Sequence, residues 1–170
     1  SMTMADTRQL LILKAQIASD LGAIDRIEEA VSSAMTAHEP EATPPQIVRS
    51  GLALYLHDFY QAVEQVLVRI TRALNGFDTL GEAWHVDLLR LSSLDVEGLR
   101  PAVISDSTRV QLDRYRSFRH FVRHGYDRDF MWERMKDLVS DLPKVVTLFE
   151  EDVHRFLDVL DQMARELNEE

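Results

Sequence analysis

The sequence predicts an all-α fold, an antiparallel helical bundle. Three observations carry the prediction. Apolar residues make up 45% of the 170-residue chain and recur at three- and four-residue intervals, the spacing that lines one face of a helix. Glycine (six) and proline (five) are scarce, so the chain has few places for the tight turns a β-rich fold needs. The breaks that exist are gathered in a few short stretches, with long uninterrupted runs between them. The length suits one domain, residues 1–170, with one sizeable core.

Taken in order, the first run opens near Asp6, a residue type that caps helices. Leu10, Leu11, Leu13, Ile17, Leu21, Ile24 and Ile27 then keep helical spacing to about Met35. Glu39-Pro-Glu-Ala-Thr-Pro-Pro45 breaks the run. Thr43 and Pro44 read as cap and first turn of a second helix. Its apolar positions are Ile47, Leu52, Leu54, Leu56, Phe59, Val63, Val66, Leu67 and Ile70, and Asn75-Gly76 is a stop. Both runs exceed about 25 residues, long for a globular helix, and suggest an antiparallel pair at the heart of the bundle. From Gly76 to Ser107 the pattern is irregular, divided by Gly81, Gly98 and Pro101, with a short helix expected over Glu82–Leu91. Ser105-Asp-Ser-Thr108 supplies caps for a third main helix, Ser107 to about His124, which Gly125 can close in a left-handed turn. Asp129 is expected to cap a segment reaching Ser140. Asp141-Leu-Pro143 is expected to restart the chain in a final helix through Val146, Leu148, Phe149, Val153, Phe156, Leu157 and Leu160.

Composition excludes several chemistries. With no cysteine there is no disulfide framework, thiolate zinc site or cysteine nucleophile. No apolar run reaches about 18 residues, so no membrane span is expected. The first residues lack a basic-then-apolar leader pattern, and a cytoplasmic location is the expectation. The net charge of −10 argues against general nucleic-acid affinity. Its distribution is uneven. Arg109 to Arg128 carries six arginines against Asp113 and Asp127, whereas Val145 to Glu170 carries eight acids against Arg155 and Arg165. A basic patch on an acidic body fits local phosphate binding. The bland alternative is a solvated face answering acidic neighbours.

Within the basic run, Arg119-His-Phe-Val-Arg-His-Gly-Tyr126 concentrates cationic and proton-exchanging groups. At about 100° per residue, with Arg119 at the origin, Arg123, Arg116, His120 and His124 fall between about 40° and 140°. Tyr115, Phe118, Phe121 and Val122 fall between about 200° and 320°, on the other side. One face is therefore expected to be buried and the opposite one cationic. On the second helix, Tyr60 and Glu64 stand one turn apart, where a Tyr–Glu hydrogen bond is expected. His120 and His124 share a face four residues apart, but the flanking arginines would repel a cation, and no metal or other cofactor is expected. His38, His57 and His154 read as surface or satisfied histidines.

Arg119, four residues, His124, one residue, Tyr126 is an R-x4-H-x-Y string. It resembles the signature of HEPN-superfamily ribonucleases, specifically the HepT-type toxins of toxin–antitoxin pairs. Leu56-His-Asp-Phe-Tyr-Gln-Ala-Val-Glu64 looks like the second-helix pattern of that subgroup. Trp84-His85 with Asp87-Leu-Leu, then Arg100-Pro-Ala-Val-Ile104, follow in matching order. The resemblance spans roughly Leu52 to Phe156. It implies a HEPN-type bundle and a metal-independent endoribonuclease of a type VII-like system. It also implies a homodimer in which two motif helices meet and both His124 copies enter one composite site. Arg119 and His124 are then the catalytic pair, with His120, Arg116 and Arg123 supporting. A histidine with a pKa near 6.5 can give or take a proton at neutral pH, and an arginine fork suits a phosphate. Tyr126 is implied to receive AMP from a cognate MNT-type nucleotidyltransferase antitoxin, silencing the toxin. Trp84, His85 and Arg100 are expected to pack or to anchor loops. A competing class is a non-catalytic HEPN helical module that binds a nucleotide or a partner protein. A third, a metal-dependent bundle enzyme, would need inward Glu and His pairs on several helices.

Overall fold

Long amphipathic runs can bury their apolar stripes only against one another, and among the described residues five helices do so: α1 (Met4–Thr36), α2 (Gln46–Leu74), α3 (Trp84–Ser92), α4 (Asp106–His124) and α5 (Met131–Glu169). The computed structural model describes residues 4–39, 42–74, 84–124 and 131–169. Asn75-Gly76, Gly81, Gly125, Tyr126 and Asp129 lie outside these, as do the side chains of Trp84, His85, Arg123 and His124.

The all-α class expected from the spacing is the class observed, with no strand among the described residues. Leu13, Ile17, Leu21, Ile24 and Val31 of α1 are buried, and so are Leu52, Leu56, Phe59, Val63, Val66, Leu67 and Ile70 of α2. The two helices pack as an antiparallel pair, and Arg69 Nε reaches across to Asp20 Oδ2 at 2.6 Å. α5 contributes Leu138, Leu142, Val145, Phe149, Val153 and Phe156 to the same core. Lys14 Nζ on α1 meets Asp161 Oδ2 on α5 at 2.7 Å. Leu11, Ile47 and Leu54, expected in the core, are exposed. They satisfy the apolar spacing locally but fall off the stripe that its neighbours define.

Three boundaries differ from expectation. α1 starts at Met4, so Asp6 sits inside the first turn, where a negative charge still favours the positive end of the helix dipole. The cap of α2 is Pro45, whose carbonyl accepts from the Val48 and Arg49 N–H groups at 3.0 Å. A proline disfavours helical backbone in the residue before it, so Pro44 cannot join the helix and Thr43 cannot cap it.

The third difference is the largest. The break expected at Asp141-Leu-Pro143 does not occur: α5 runs through it, with Pro143 exposed inside the helix. Proline in a helix interior costs about 3 kcal/mol. Against that stand Leu138, Val139, Leu142, Val145 and Val146, all buried on one face across the proline. Burial stabilises each such side chain by about 1.5–3 kcal/mol, so continuity wins. The Thr147 hydroxyl adds a bond to the Pro143 carbonyl at 3.0 Å.

The excursion before α4 is held by one buried cation. Arg100 is buried and donates to the carbonyls of Leu91, Leu94 and Pro101, which fulfils the loop-anchoring expectation. Val96 and Arg100 form an isolated bridge around Gly98, whose φ of 75° is the left-handed value that glycine tolerates.

Where α1 meets α5, three carboxyl groups converge: Asp25, Glu28 and Glu150. Burial, a hydrogen bond with Asp25 and the nearby acids push Glu150 up to about 8. Its Oε1 is buried and unpartnered among the described residues. A carboxyl whose folded pKa is raised stabilises the fold below its unfolded value, and that contribution fades as pH rises through the folded one. Stability should therefore fall as pH rises from about 4.5 to about 8. Glu150→Gln should flatten that slope, changing stability at pH 8 by roughly 1–2 kcal/mol after allowance for solvent screening. Urea midpoints measured across this range test it, and identical slopes for both chains would contradict it.

Candidate functional site on helix α4

α4 begins with a built cap. The Ser105 carbonyl accepts from the Arg109 N–H at 3.0 Å, and its hydroxyl accepts from the Thr108 N–H at 3.1 Å. The Ser105 N–H in turn donates to Asp152 Oδ2 of α5 at 2.9 Å. Burial opposes the charge on Asp152, but bonds from Ser105, Thr108 and Arg155 outweigh it and hold the carboxyl below its usual range. The start of α4 is thereby fixed to α5.

Farther along, the apolar side of α4 faces inward as its spacing predicts. Leu112, Tyr115 and Phe118 are buried, and Phe121 and Val122 pack partly against the core. The Tyr115 hydroxyl donates to the Leu138 carbonyl at 2.7 Å, and its ring meets Phe59 edge-on at 5.0 Å. Arg114 reaches Asp141 at 3.0 Å, and the Arg134 guanidinium lies 4.5 Å from the Phe121 ring centre. α4 is thus clamped between α2 and α5.

The cationic face is not uniform. His120 is exposed, and Arg116 is partly exposed with its Nε on Asp113 Oδ1 at 2.6 Å. Arg119 differs from both. Its side chain is only 14% exposed, and its guanidinium pairs with Glu64 of α2, whose side chain is 5% exposed. The wheel explains the difference. Leu112, seven residues earlier, lies within about 20° of Arg119, and it is fully buried. Arg119 therefore sits at the edge of the inward face, turned toward α2. The uniformly cationic arc expected from sequence is corrected on this point.

The expected Tyr60–Glu64 hydrogen bond is corrected as well. Glu64 turns to Arg119, and the fully buried Tyr60 hydroxyl has no hydrogen-bond partner among the described residues. Burial first, then the Glu64 charge, push the Tyr60 pKa well above its ordinary value, while Arg116 and Arg119 pull the other way. Tyr60, Glu64, Arg116 and Arg119 thus form one electrostatic cluster between α2 and α4. Glu64 is the member whose partner the sequence reading missed. Its signal was an acid set among Val63, Val66, Leu67 and Val68, because a buried carboxylate requires a cation.

Of the other residues singled out, Arg123 and His124 lie on the last turn of α4, and the structure describes their backbone alone. Tyr126 is outside the described residues. The spacing Glu-x-x-His occurs at Glu82–His85 and at Glu151–His154. Glu151 and His154 are both exposed on α5, and no group of three or more histidine, aspartate or glutamate side chains among the described residues is arranged to hold a metal ion. Among the same residues, no helix is long and apolar enough to cross a membrane. A cavity of 640 Å³ between α1 and α5 contains none of the α4 arginines.

No curated protein and no solved structure is matched by this chain. A family model described as HepT-like protein matches residues 51–160, about two thirds of the sequence, from the first turns of α2 through most of α5. The match takes in Glu64 together with the complete R-x4-H-x-Y string, and the chain belongs to the HepT-like family.

Proposed function

We propose that this chain is a HepT-like toxin, a metal-independent endoribonuclease that acts as a homodimer. The observation that carries the reading is the complete R-x4-H-x-Y string inside the family match, set on a helix clamped at three points that holds the Arg119 guanidinium against Glu64 beside the exposed His120. Arg119 uses Nη1 on Glu64. Arginine carries five N–H donors, so the others can fork onto a phosphate. Glu64 then fixes the angle of that fork, which is the preorganisation that electrostatic catalysis needs.

In the reaction, one His124 takes the proton of the 2′-hydroxyl, and the 2′-oxygen attacks phosphorus. The 5′-oxygen leaves with a proton from the second His124, supplied by the partner protomer. Arg119 balances the charge that builds on the phosphoryl oxygens. His120 orients the phosphate, and Arg116 and Arg123 draw RNA toward it. Control comes from an MNT-type nucleotidyltransferase antitoxin that transfers AMP from ATP to the Tyr126 hydroxyl, releasing pyrophosphate and placing phosphate charge beside the cationic site.

One experiment tests both parts. The chain is incubated with a cognate MNT-type nucleotidyltransferase and ATP, intact mass is followed, and RNA cleavage is then measured in the presence of a chelator. Cleavage should stop as adenylyl mass appears, and Tyr126→Phe should escape both effects. Cleavage that never occurs, or mass gain that survives Tyr126→Phe, refutes the corresponding part.

A second reading draws on the same ion pair. The low exposure of Arg119 and its bond to Glu64 are equally expected of a non-catalytic helical module in which Arg119 ties α2 to α4. Separating structural loss from catalytic loss at Arg119 decides between them.

A further inference from the structure

Beside the Arg119 cluster, α3 and α4 enclose a groove of about 450 Å³. Arg109 and Arg116 line it from α4 and Arg90 from α3, and Leu89 and Leu94 line it as well. Arg109 and Arg116 are two helical turns apart on one side of α4, about 10 Å along the axis. Leu94 is 47% exposed. Arg116 lines this groove and its charge also acts on Tyr60 beside Arg119, so the groove and the cluster share a residue.

We infer that the α3–α4 groove is a track for the single-stranded RNA that flanks the scissile phosphate, with Arg90 and Arg109 as its phosphate contacts. The inference rests on the ribonuclease reading for its direction toward Arg119, but binding alone can test it. Guanidinium groups fork onto phosphates and stack on bases, and an exposed leucine offers an apolar surface to a base face. A duplex could not press its bases onto Leu94 in this way.

Two acids line the same groove. Arg109 Nη2 meets Asp106 Oδ1 at 2.8 Å, and Arg116 Nε meets Asp113 Oδ1 at 2.6 Å. Asp106 is 79% exposed and Asp113 46%. Such surface pairs between neighbours on one helix are weak. They hold the guanidinium groups in place until a phosphate displaces the carboxylates. Arg119, paired with a buried acid, has no such freedom. With a body charge of −10, the attraction must act locally, within about one screening length of 10 Å at moderate salt.

The test is fluorescence anisotropy with a labelled single-stranded homopolymer, in the full chain carrying His124→Ala so that the probe survives. Arg90→Ala with Arg109→Ala should weaken binding about tenfold. The pair should also lower the slope of log affinity against log salt by about 1.4, at about 0.7 per contact for a single strand. Asp106→Asn, which removes an opposing charge without touching an arginine, should tighten binding. Duplex RNA of the same sequence should bind more weakly. Unchanged affinity and slope in the double variant, equal binding of duplex, or no binding by the parent chain would each overturn the track. Loss of binding in the double variant, together with no RNA cleavage by the chain that retains His124, would leave the track standing and remove the nuclease reading.

Discussion

Arg119→Ala should destabilise the fold by about 3–5 kcal/mol, because it removes the guanidinium that pairs with a buried carboxylate. At about 2–4 °C per kcal/mol for a chain of this size, the melting temperature should drop by roughly 6–20 °C. Glu64 is 5% exposed and cannot recover its hydration where it stands. Adding Glu64→Leu removes the buried carboxylate as well and should restore most of the loss, since apolar replacement of a buried pair is often neutral or better. Arg119→Lys keeps a charge for Glu64 and should stay close to the parent in stability. Urea unfolding of the parent, both single variants and the double variant measures all of this. An Arg119→Ala chain within about 0.5 kcal/mol of the parent, the range of ordinary surface substitutions, would show that the pair contributes nothing to the fold.

The same series separates structure from chemistry at this position. Arg119→Lys retains the charge but loses the planar fork, so RNA cleavage should fall even where the fold does not. Full cleavage by Arg119→Lys, or by the stable Arg119→Ala, Glu64→Leu double variant, would favour the non-catalytic reading of Arg119.

His124→Ala is expected to show the opposite balance. Loss of one proton-transfer group lowers the rate by about 10² to 10⁴-fold. His124 is in the last turn of α4, beyond the clamps at Ser105, Arg114 and Tyr115, so its removal should leave those clamps untouched. Initial rates on single-stranded RNA, with circular dichroism to confirm the helices, would measure it. Undiminished cleavage would take His124 out of the mechanism.

Much of this architecture was legible in the residues. Helical spacing in α1, α2 and α4 marked the buried stripes, and Ser105 was readable as a cap because a serine hydroxyl satisfies an orphan N–H. What failed did so for tertiary reasons. Pro143 marks a local break, and only the buried side chains on both flanks show why the helix continues through it. Leu54 and Ile47 obey the spacing of α2, yet both stay exposed because they fall off the face that the other described helices cover. The wheel placed Arg119 among the cations correctly in angle. Its angle beside Leu112 puts it at the edge of the buried face, but the acid that receives it, Glu64, lies 55 residues earlier in the chain, and no local pattern names that partner. Tyr60 was matched to the wrong partner for the same reason: Glu64 is closer in sequence to Tyr60, but a buried carboxylate gains more from a guanidinium.

The claim on which the rest depends is that two copies of α4 build one site. It is tested most directly by a heterodimer of the parent chain and His124→Ala, co-expressed with two different tags and purified through both. If a single site requires an imidazole from each protomer, one faulty copy disables it, and the heterodimer should cleave RNA no faster than the His124→Ala homodimer. A heterodimer retaining about half the parent rate would mean that each protomer acts alone, as separate sites in a symmetric dimer would, and would contradict the shared site.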